Sequence, residues 1–518
     1  MKALSLLIRG AIQLIVAHVM VVGMLADAQA KSLTFTLDAP PYRHLEANLI
    51  AEQLRKIGVQ VEVQIFERED LRSEVKSGNR SAYLTDWGSA YFDPYDLAQP
   101  KITTGGPENY SFYSNPKVDE LMNLAASSDV PPVRRKAYYK IQDNIYLDVP
   151  WVFGYILPNF EAAGLDVVNF SPSMDNRVNL HDVSLKQGDT IIVGMNTNAF
   201  ISLDPMMYRS RETETMIRNM FDGLVTRTHE GKVVPELAES WQQADATTYI
   251  FTLRKGPKFH NGDPVTVDDV VFTFERVLKP NAINGKSSPR RGLLGPLVRV
   301  EKINNTQVRF VLANPFPPFL QALVHFQIVP MNYIQKVGDR IFSEMPIGAG
   351  PFKFVKADLD VEVLMERFAD YYGGSPNLLP VAPAKIKFAV FKCLPEPTTR
   401  VAALLAGEVS IIQAVPADLV DRLKKSNSVK ILTIEGTRAY QIELNNKKSP
   451  FNDIRVRKAF NHAINWDEII ANVYNGYGNR LATCFLPSGF GYNPKLKPYS
   501  HDPEKAKALL MKAGYQVK

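Results

Sequence analysis

Cysteine is scarce in this sequence, with two among 518 residues, Cys393 and Cys484. A disulfide-stapled scaffold is thereby excluded, since such scaffolds need several cysteines in a short chain. Whether the two thiols pair stays open, and two buried free thiols are the expectation. A large net charge is also lacking. The chain has 60 basic and 54 acidic residues, and this excess is too small to indicate nucleic-acid binding. With 45% hydrophobic and 22% charged residues, the composition is that of an ordinary globular protein.

Enzyme motifs are absent as well. The sequence has no His-Glu-x-x-His, no Gly-x-Ser-x-Gly and no Walker loop. Gly348-Ala349-Gly350 is followed by Pro351, which is typical of a turn rather than a phosphate cradle. The eight histidines lack the spacing of metal ligands, so His260 and His462 are expected to be structural. We therefore expect no catalytic residue, no protein-bound metal and no cofactor.

The first thirty residues have the layout of a secretory signal. Lys2 and Arg9 accompany an apolar stretch that continues to Leu25, and Ala28-Gln29-Ala30 provides a small-x-small cleavage site. The alternative is a membrane anchor, but polar residues interrupt the stretch and it is shorter than the roughly 20 apolar residues of a spanning helix. Because the first cysteine is Cys393, no thiol is available for lipid attachment. The sequence predicts cleavage after Ala30 and a soluble periplasmic protein that is not a lipoprotein.

The two ends of the remaining chain look like the halves of one interrupted connection. Alternation over Leu33–Leu37 predicts a strand, a helical stripe runs from Leu45 to Gly58, and Val59–Ile65 predicts a second strand. At the other end, Asp502 and Pro503 are typical of a helix start, and Gly514 ends that helix close to the end of the chain. The first strand has no helix before it, and the last helix has no strand after it.

Between these ends, strands and helices are mixed. Ile191–Met195 and Tyr249–Leu253 are typical of strands, whereas Glu212–Asp222 predicts a helix and Pro450–Asp453 opens another. The mixture indicates an α/β or α+β fold with more than one lobe.

Several segments carry a specific resemblance to a known family. They are Leu237–Trp241, Tyr249–Arg254, Lys258–Thr266, Val270–Arg276, Gly348–Phe352, Arg400–Gly407, Asn445–Arg457 and Asp502–Tyr515. In these segments the sequence resembles the extracellular solute-binding proteins of peptide and nickel ABC transporters, bacterial family 5. The resemblance implies a two-lobed periplasmic-binding-protein fold with an extra small domain.

The order of the segments differs from the family pattern. Residues 188–518 resemble the N-terminal two-thirds of such a protein, whereas residues 31–187 resemble its C-terminal third, with marks at Gly58–Val63, Asp86–Gly88 and Pro150-Trp151. We interpret the chain as a circular permutation of the family, in which Leu185–Gly188 bridges the usual ends. The alternative is a gene-prediction artefact or a fusion of two partial copies. Permutation is tolerated where the usual ends lie close together at the surface.

The resemblance also implies a division into domains. After the signal at 1–30, residues 31–165 and 448–518 would form the C-terminal-type ligand lobe, split by the permutation. Residues 166–228 and 346–447 would form the hinge-bearing lobe, and residues 229–345 the small domain.

In the family the solute is enclosed between two lobes, and the loop that carries Trp87 lies on the cleft side. Trp87 and Tyr91 would then be ligand contacts, although Trp87 could equally pack the core of its lobe. Asp93-Pro94 is expected to form a turn. Family peptide binders usually carry an aspartate three residues after the tryptophan, for the α-amino group of the ligand; this sequence has Ala90 there. A ligand without a free ammonium therefore fits better: an acylated or cyclic peptide, an opine-like conjugate, a sugar-like solute or an anionic metal chelate.

Further candidate contacts come from two other segments that reach the cleft or the hinge in the family. They are Tyr208, Arg209, Arg211, Arg438 and Tyr440. An arginine could hold a carboxylate by two hydrogen bonds, although for each arginine a solvent-exposed position is the simpler expectation, and for Arg438 and Tyr440 it is strand packing. Arg290-Arg291 is expected to be a solvated charge pair.

These features together indicate a monomeric, non-enzymatic periplasmic receptor of an ABC importer. It would close around a peptide or small-molecule solute and dock on the membrane permease, with no nucleic acid involved. The alternatives are a nickel-chelate or haem receptor, and a periplasmic chaperone or sensor on the same fold.

Overall fold

A computed structural model of the protein describes residues 31–89, 91–378 and 381–518. The predicted signal at residues 1–30 lies outside the described residues. Within those ranges, no helix combines the length and the apolar character needed to cross a bilayer.

The strands, in chain order, are β1 Thr34–Ala39, β2 Gln60–Ile65, β3 Ala82–Gly88, β4 Trp151–Ile156, β5 Asn159–Gly164, β6 Val167–Val168, β7 Ser184–Leu185, β8 Thr190–Met195, β9 Val225–Arg227, β10 Val233–Pro235, β11 Ala238–Asp245, β12 Thr248–Leu253, β13 Leu297–Lys302, β14 Gln307–Leu312, β15 Phe352–Asp358, β16 Glu362–Arg367, β17 Phe388–Cys393, β18 Ile411–Ile412, β19 Val429–Ile434, β20 Arg438–Leu444 and β21 Asn479–Arg480. The α-helices are α1 His44–Lys56, α2 Arg68–Lys76, α3 Pro94–Ile102, α4 Pro116–Ser127, α5 Pro131–Asp148, α6 Arg211–Ile217, α7 Val267–Leu278, α8 Phe319–Leu323, α9 Met331–Glu344, α10 Pro397–Leu405, α11 Ala417–Lys424, α12 Ile454–Ala463, α13 Trp466–Val473 and α14 Pro503–Lys512.

The chain divides into two compact units. The first contains the described residues up to Tyr83 with Leu444–Asn465 and Tyr499–Lys518, and the second contains Leu84–Glu443 with Trp466–Pro498. The three-part domain organisation that the resemblance implies stays a prediction.

The first unit is built on a parallel strand–helix–strand arrangement, as the sequence pattern predicts. β1 and β2 pair in parallel with Phe35 opposite Val61, and α1 connects them. The alternation buries Leu33 and Leu37 almost completely, because successive side chains of a strand point to opposite faces. The predicted start of the last helix is also confirmed: the side chain of Asp502 accepts a hydrogen bond from the amide of Lys505 at 2.9 Å.

The beginning and the end of the described chain meet in this first unit. The amide of Lys31 donates to the carbonyl of Gly514 at 3.1 Å, and the amide of Gln516 donates to the carbonyl of Lys31 at 3.0 Å. The amide of Lys518 reaches the carbonyl of Ile57 at 3.3 Å. The predicted adjacency of these two segments is therefore confirmed, whereas the circular permutation itself stays a prediction.

The second unit contains a mixed sheet and an antiparallel sheet. The mixed sheet has the order β15–β16–β17–β8–β18–β5–β19, with β8 parallel to its neighbours β17 and β18. Its two faces bury separate apolar cores, since Ile191 and Val193 face one core and Ile192 packs against the other. The antiparallel sheet β11–β12–β14–β13 packs its aromatic face, including Phe251 and Phe310, against α7.

The helix predicted over Glu212–Asp222 is shorter in the structure, since α6 ends at Ile217. The cause is the side chain of Asn219, whose amide nitrogen donates to the carbonyl of Thr215 at 2.9 Å and to that of Val178. Its oxygen accepts from the amide of Leu180 at 3.0 Å. Beyond Ile217 the backbone continues as a turn, in which the amides of Asn219 and Met220 bond to the carbonyls of Met216 and Ile217.

The two cysteines are unpaired: Cys484 is buried and Cys393 half-buried. Burial raises the pKa of the Cys484 thiol to about 12 and that of Cys393 to about 11. Both thiols are therefore protonated and unreactive at neutral pH.

Candidate functional site

An apolar pocket of about 440 Å³, measured with its opening to solvent, lies beside the loop that carries the predicted contacts, within the second unit. Phe92 of the loop and Leu97 of α3 form one wall, and Phe485 and Phe490 contribute to another. Enclosure by aromatic and aliphatic side chains with a few polar groups is typical of a site for a small organic ligand.

The pocket wall is held in place by Asp93, which begins α3. Its Oδ1 accepts from the amide of Tyr95 at 2.9 Å, and Pro94 occupies the first helical position. Both carboxylate oxygens also accept from Nη2 of Arg134 at 2.8 Å. Asp93-Pro94 was expected to form a turn; in the structure the pair instead begins α3 and lines the pocket, and the buried ion pair fixes this helix start to α5.

Asp96, one turn into α3, holds the preceding loop. Its carboxylate accepts from Ser89 Oγ at 2.6 Å and from the amide of Tyr91 at 3.0 Å. Its carbonyl accepts from Nε1 of Trp87 at 3.2 Å. The half-buried indole of Trp87 also has Nζ of Lys101 5.1 Å from its ring centroid. Trp87 does not line the apolar pocket, so its contact with a solute stays a prediction.

The next two candidates along the loop are Ala90 and Tyr91. Ala90 lies outside the described residues. Tyr91 is buried, with its ring 6.2 Å from that of Phe316, and its hydroxyl donates to the carbonyl of Leu293 at 3.0 Å. The structure thus places Tyr91 in the core under the antiparallel sheet, and a role in ligand contact stays a prediction.

Tyr208 is likewise buried, and Arg290 covers it. The guanidinium of Arg290 lies 4.2 Å from the centroid of the Tyr208 ring. Arg290 is 1% exposed and donates to the carbonyl of His325. The expectation that Arg290 belongs to a solvated charge pair is wrong, because Tyr208 and Glu214, both distant in sequence, enclose its charge.

The remaining candidates are spread along the second unit. Arg209 is exposed and donates to the carbonyl of Pro289 at 3.3 Å. Arg211 begins α6 half-buried; burial and the nearby charge of Arg438 lower the pKa of its guanidinium. Arg438 forms an ion pair with Asp86.

Tyr440 of β20 stacks on Tyr155 of the neighbouring strand β4. The ring centroids are 5.1 Å apart and the ring planes differ by 2°. This arrangement is cross-strand packing, and a ligand contact by Tyr440 stays a prediction.

A buried charge network surrounds Glu214 of α6. Its carboxylate accepts from Nδ1 of His325 at 2.8 Å and lies 3.4 Å from Nη2 of Arg290 and 3.6 Å from Nη2 of Arg177. Burial alone would raise the pKa of Glu214, but these neighbours hold it well below its usual range. Burial lowers the pKa of His325 to about 4. Neutral His325 thus donates to an ionised carboxylate.

This network borders a polar pocket of about 700 Å³, measured with its opening to solvent. Its cationic lining comes from Arg177, from Arg218 at the end of α6 and from Arg227 of β9. Its acidic lining consists of Asp175, Asp222 and Glu236.

Sequence reasoning missed this pocket and the residues that line it. One signal was present: Arg211, Glu214 and Arg218 are spaced by three and four residues, which places them on one face of a helix. No pattern connects them with Arg177 or Arg227, which the fold brings in from other segments. Throughout the residues that the structure describes, no group of three or more His, Cys, Asp or Glu side chains could hold a metal ion.

Comparison with known proteins agrees with the observed fold. The model of the family described as bacterial extracellular solute-binding proteins, family 5 Middle, matches residues 232–518. The chain is 33% identical over 308 residues to the dipeptide-binding protein of Escherichia coli K12, covering 55% of this chain and 56% of that protein. It is 29% identical over 325 residues to the nickel-binding periplasmic protein of the same strain, covering 61% and 59%.

Among solved structures, the chain is similar to the ABC transporter-associated periplasmic binding protein DppA from Helicobacter pylori in complex with peptide STSA. The TM-score is 0.51 at 28% identity, covering 63% of this chain and 66% of that one. The matches thus span less than two-thirds of the relatives' own length. The predicted mixed α/β fold of the periplasmic-binding-protein class is confirmed. Because the family model spans more than half of the chain, the protein belongs to the bacterial extracellular solute-binding proteins of family 5.

Proposed function

We propose that this protein is the substrate-binding component of an ABC importer. It captures a small solute in the periplasm and presents it to the membrane permease. The observation that carries the proposal is the family match over residues 232–518, and the apolar pocket lined by Phe92 and Asp93 supports it. The similar Helicobacter pylori protein is described as ABC transporter-associated, which supports the permease as partner.

We further propose a solute without a free ammonium group. Ala90 stands where peptide binders of the family usually carry an aspartate, and Asp93 is already bonded to Arg134. A buried ammonium left without a counter-charge costs several kcal/mol, which disfavours ordinary peptides with free N-termini. A blocked or cyclic peptide and an opine-like conjugate both meet this condition. The protein acts as a monomer in the periplasm, is not a lipoprotein, and performs no chemistry on the solute.

The test is to identify a co-purified solute by native mass spectrometry and to measure its affinity by isothermal titration calorimetry. Phe490→Ala removes an aromatic wall of the pocket and is expected to weaken binding about 10- to 100-fold, since burying a phenylalanine contributes about 1.5–3 kcal/mol. The matched control is Phe66→Ala. Each ring faces an arginine guanidinium, at 5.1 Å for Phe490 and 5.0 Å for Phe66, but Phe66 does not line the pocket.

Equal losses of affinity in the two variants would contradict the assignment of the pocket. In the same assay Trp87→Ala is expected to weaken binding with little change in melting temperature. Unchanged affinity would remove Trp87 from the site.

The nickel-chelate or haem alternative is favoured by the similarity to the nickel-binding periplasmic protein. Nickel or a haem absorbance band in the purified protein would support it. A protein that carries no solute and binds none, but suppresses aggregation of unfolded clients, would favour the chaperone alternative.

A further inference from the structure

The polar pocket next to Glu214 contains a buried guanidinium with an unused donor. Arg227 is 7% exposed. Its Nε donates to Oε1 of Gln321 at 3.3 Å and its Nη2 to the carbonyl of Gln321 at 2.8 Å. Among the residues that the structure describes, its Nη1 has no hydrogen-bond partner; the Oδ2 atom of Asp175, 3.8 Å away, forms an ion pair with it but is beyond hydrogen-bonding distance. Leaving a buried donor without a partner is costly, so an acceptor oxygen brought into the pocket from outside would be stabilised at this atom.

The other cations of the pocket add positive potential at the same place. Arg218 donates to the carbonyl of Val324 and to Oγ1 of Thr226, and Arg177 pairs with Asp175 at 2.5 Å. Burial and the charges of Arg177 and Arg218 lower the pKa of Arg227 to about 9, so it is still charged at neutral pH. An anion beside Nη1 would offset this repulsion.

The carboxylates of the pocket already have hydrogen-bond donors. Asp222 accepts from the hydroxyls of Tyr371 and Tyr372 at 2.9 and 2.7 Å. Glu236 accepts from the amide of Gly223 at 2.7 Å. Burial raises the pKa of both groups, and their mutual repulsion adds to the shift of Asp222, so their negative charge is disfavoured. The pocket therefore offers a free donor on Arg227, beside carboxylates that already have donors of their own.

We propose that this pocket binds an oxyanion, a carboxylate or a phosphate, with Arg227 Nη1 as the principal donor. A guanidinium N–H forms a charge-assisted hydrogen bond with an oxygen of either anion. The anion could belong to the captured solute, since the two pockets are neighbours. Phe92 lines the apolar pocket, and its ring lies 4.6 Å from the guanidinium of Arg227. It could equally be a free inorganic anion.

The test uses the purified protein with sodium phosphate and with disodium succinate, each against sodium chloride at equal ionic strength. Isothermal titration calorimetry should show saturable binding, and the melting temperature should rise with anion concentration because only the folded state binds. Arg227→Gln is expected to weaken binding at least 10-fold and Arg227→Lys less. Arg340→Gln, which alters an exposed arginine paired with Glu344 away from the pocket lining, is the control and should leave binding unchanged.

Because Arg227 is buried, its glutamine variant could fail to fold, so a second variant is needed. Thr228 is half-buried, lies in the turn after β9 and lines the pocket. Thr228→Glu would place a carboxylate at the pocket while leaving all three guanidinium groups intact. This variant is expected to fold and to lose phosphate and succinate binding.

The proposal fails if neither probe binds the wild-type protein above the chloride control, or if the Thr228→Glu variant binds as tightly as wild type. If a co-purified acidic solute displaces phosphate, the solute is the source of the anion. If phosphate still binds when the solute is present, the pocket is an independent site for an inorganic anion. Both support the anion pocket. The proposed import function is tested separately, through Phe490 and the apolar pocket, so either proposal can fail without the other.

Discussion

The permuted order of the chain can be tested by restoring the order of the family. In the reordered protein, residues 188–518 come first, a short linker follows, and residues 31–187 come last. The chain is joined where Lys31 and Gly514 already share a hydrogen bond. It is opened between Gln187 and Gly188, in an exposed turn.

The expected effect follows from the distances to be bridged. Tyr515 is the bridge partner of Lys31, and the three steps from Tyr515 to Lys518 span at most about 11 Å. Adding about 5 Å for the spacing of paired strands gives a gap of at most about 16 Å, which a six-residue Gly/Ser linker can cross. Closing a loop of that size costs about 2 kcal/mol.

The new ends cost little, because the hydrogen bonds beside the cut remain. The amide of Lys186 still donates to the carbonyl of Asp166, and the amide of Lys387 to that of Asp189. We expect the free energy of unfolding to stay within about 2 kcal/mol of the original order. Circular dichroism with urea titration measures it.

The control opens the same joined chain between Ile192 and Val193. These residues lie inside β8, which pairs with β17 and β18, so this protein should not fold. A reordered chain that is unfolded, or as unstable as the control, would refute the permutation and leave the fusion of two partial copies as the better reading.

Two further predictions concern stability. His260 accepts from the amide of Gly348 through Nδ1 and contacts the carbonyl of Gly350 through Nε2 at 3.0 Å, an arrangement that suits the neutral ring. Burial lowers its pKa to about 4, against about 6.5 in an unfolded chain. Between these values the unfolded state binds more protons, so stability should fall as the pH is lowered from 6.5 to 4, by about 3 kcal/mol from this group. Urea titrations across this pH range should show a flatter profile for His260→Gln, and an identical profile would contradict the assignment. Separately, Arg134→Ala leaves the buried carboxylate of Asp93 unpaired and should cost about 3–5 kcal/mol. Lys302→Ala, which breaks an exposed ion pair, should cost less than about 1 kcal/mol by the same titration, and equal costs would show that the Asp93 pair contributes little.

Secondary-structure features that depend only on residues close together in the sequence were predictable from the sequence. The alternation of β1 and the cap of α14 at Asp502 appear as expected, because a strand buries every second side chain and a cap bonds within one turn. The family and the mixed α/β class follow from segments of contiguous residues, so they too were predictable. In the site, Asp93-Pro94 was predicted as a turn and instead begins α3, although the bond from the amide of Tyr95 to Asp93 that caps the helix is equally local.

Only the tertiary structure decided which charges are buried together. Nothing near Arg290 in sequence indicates that Tyr208 and Glu214 cover it, and α6 ends early because Asn219 bonds to residues about 40 positions away. Arg227 acquires its free donor from the packing of segments that are far apart in the chain. Local patterns determined the elements and the family of this protein, because hydrogen bonding and side-chain periodicity act over a few residues. Its binding chemistry depends on how far each charged side chain is removed from water. That burial is decided by segments distant in the sequence, which pack over the side chain.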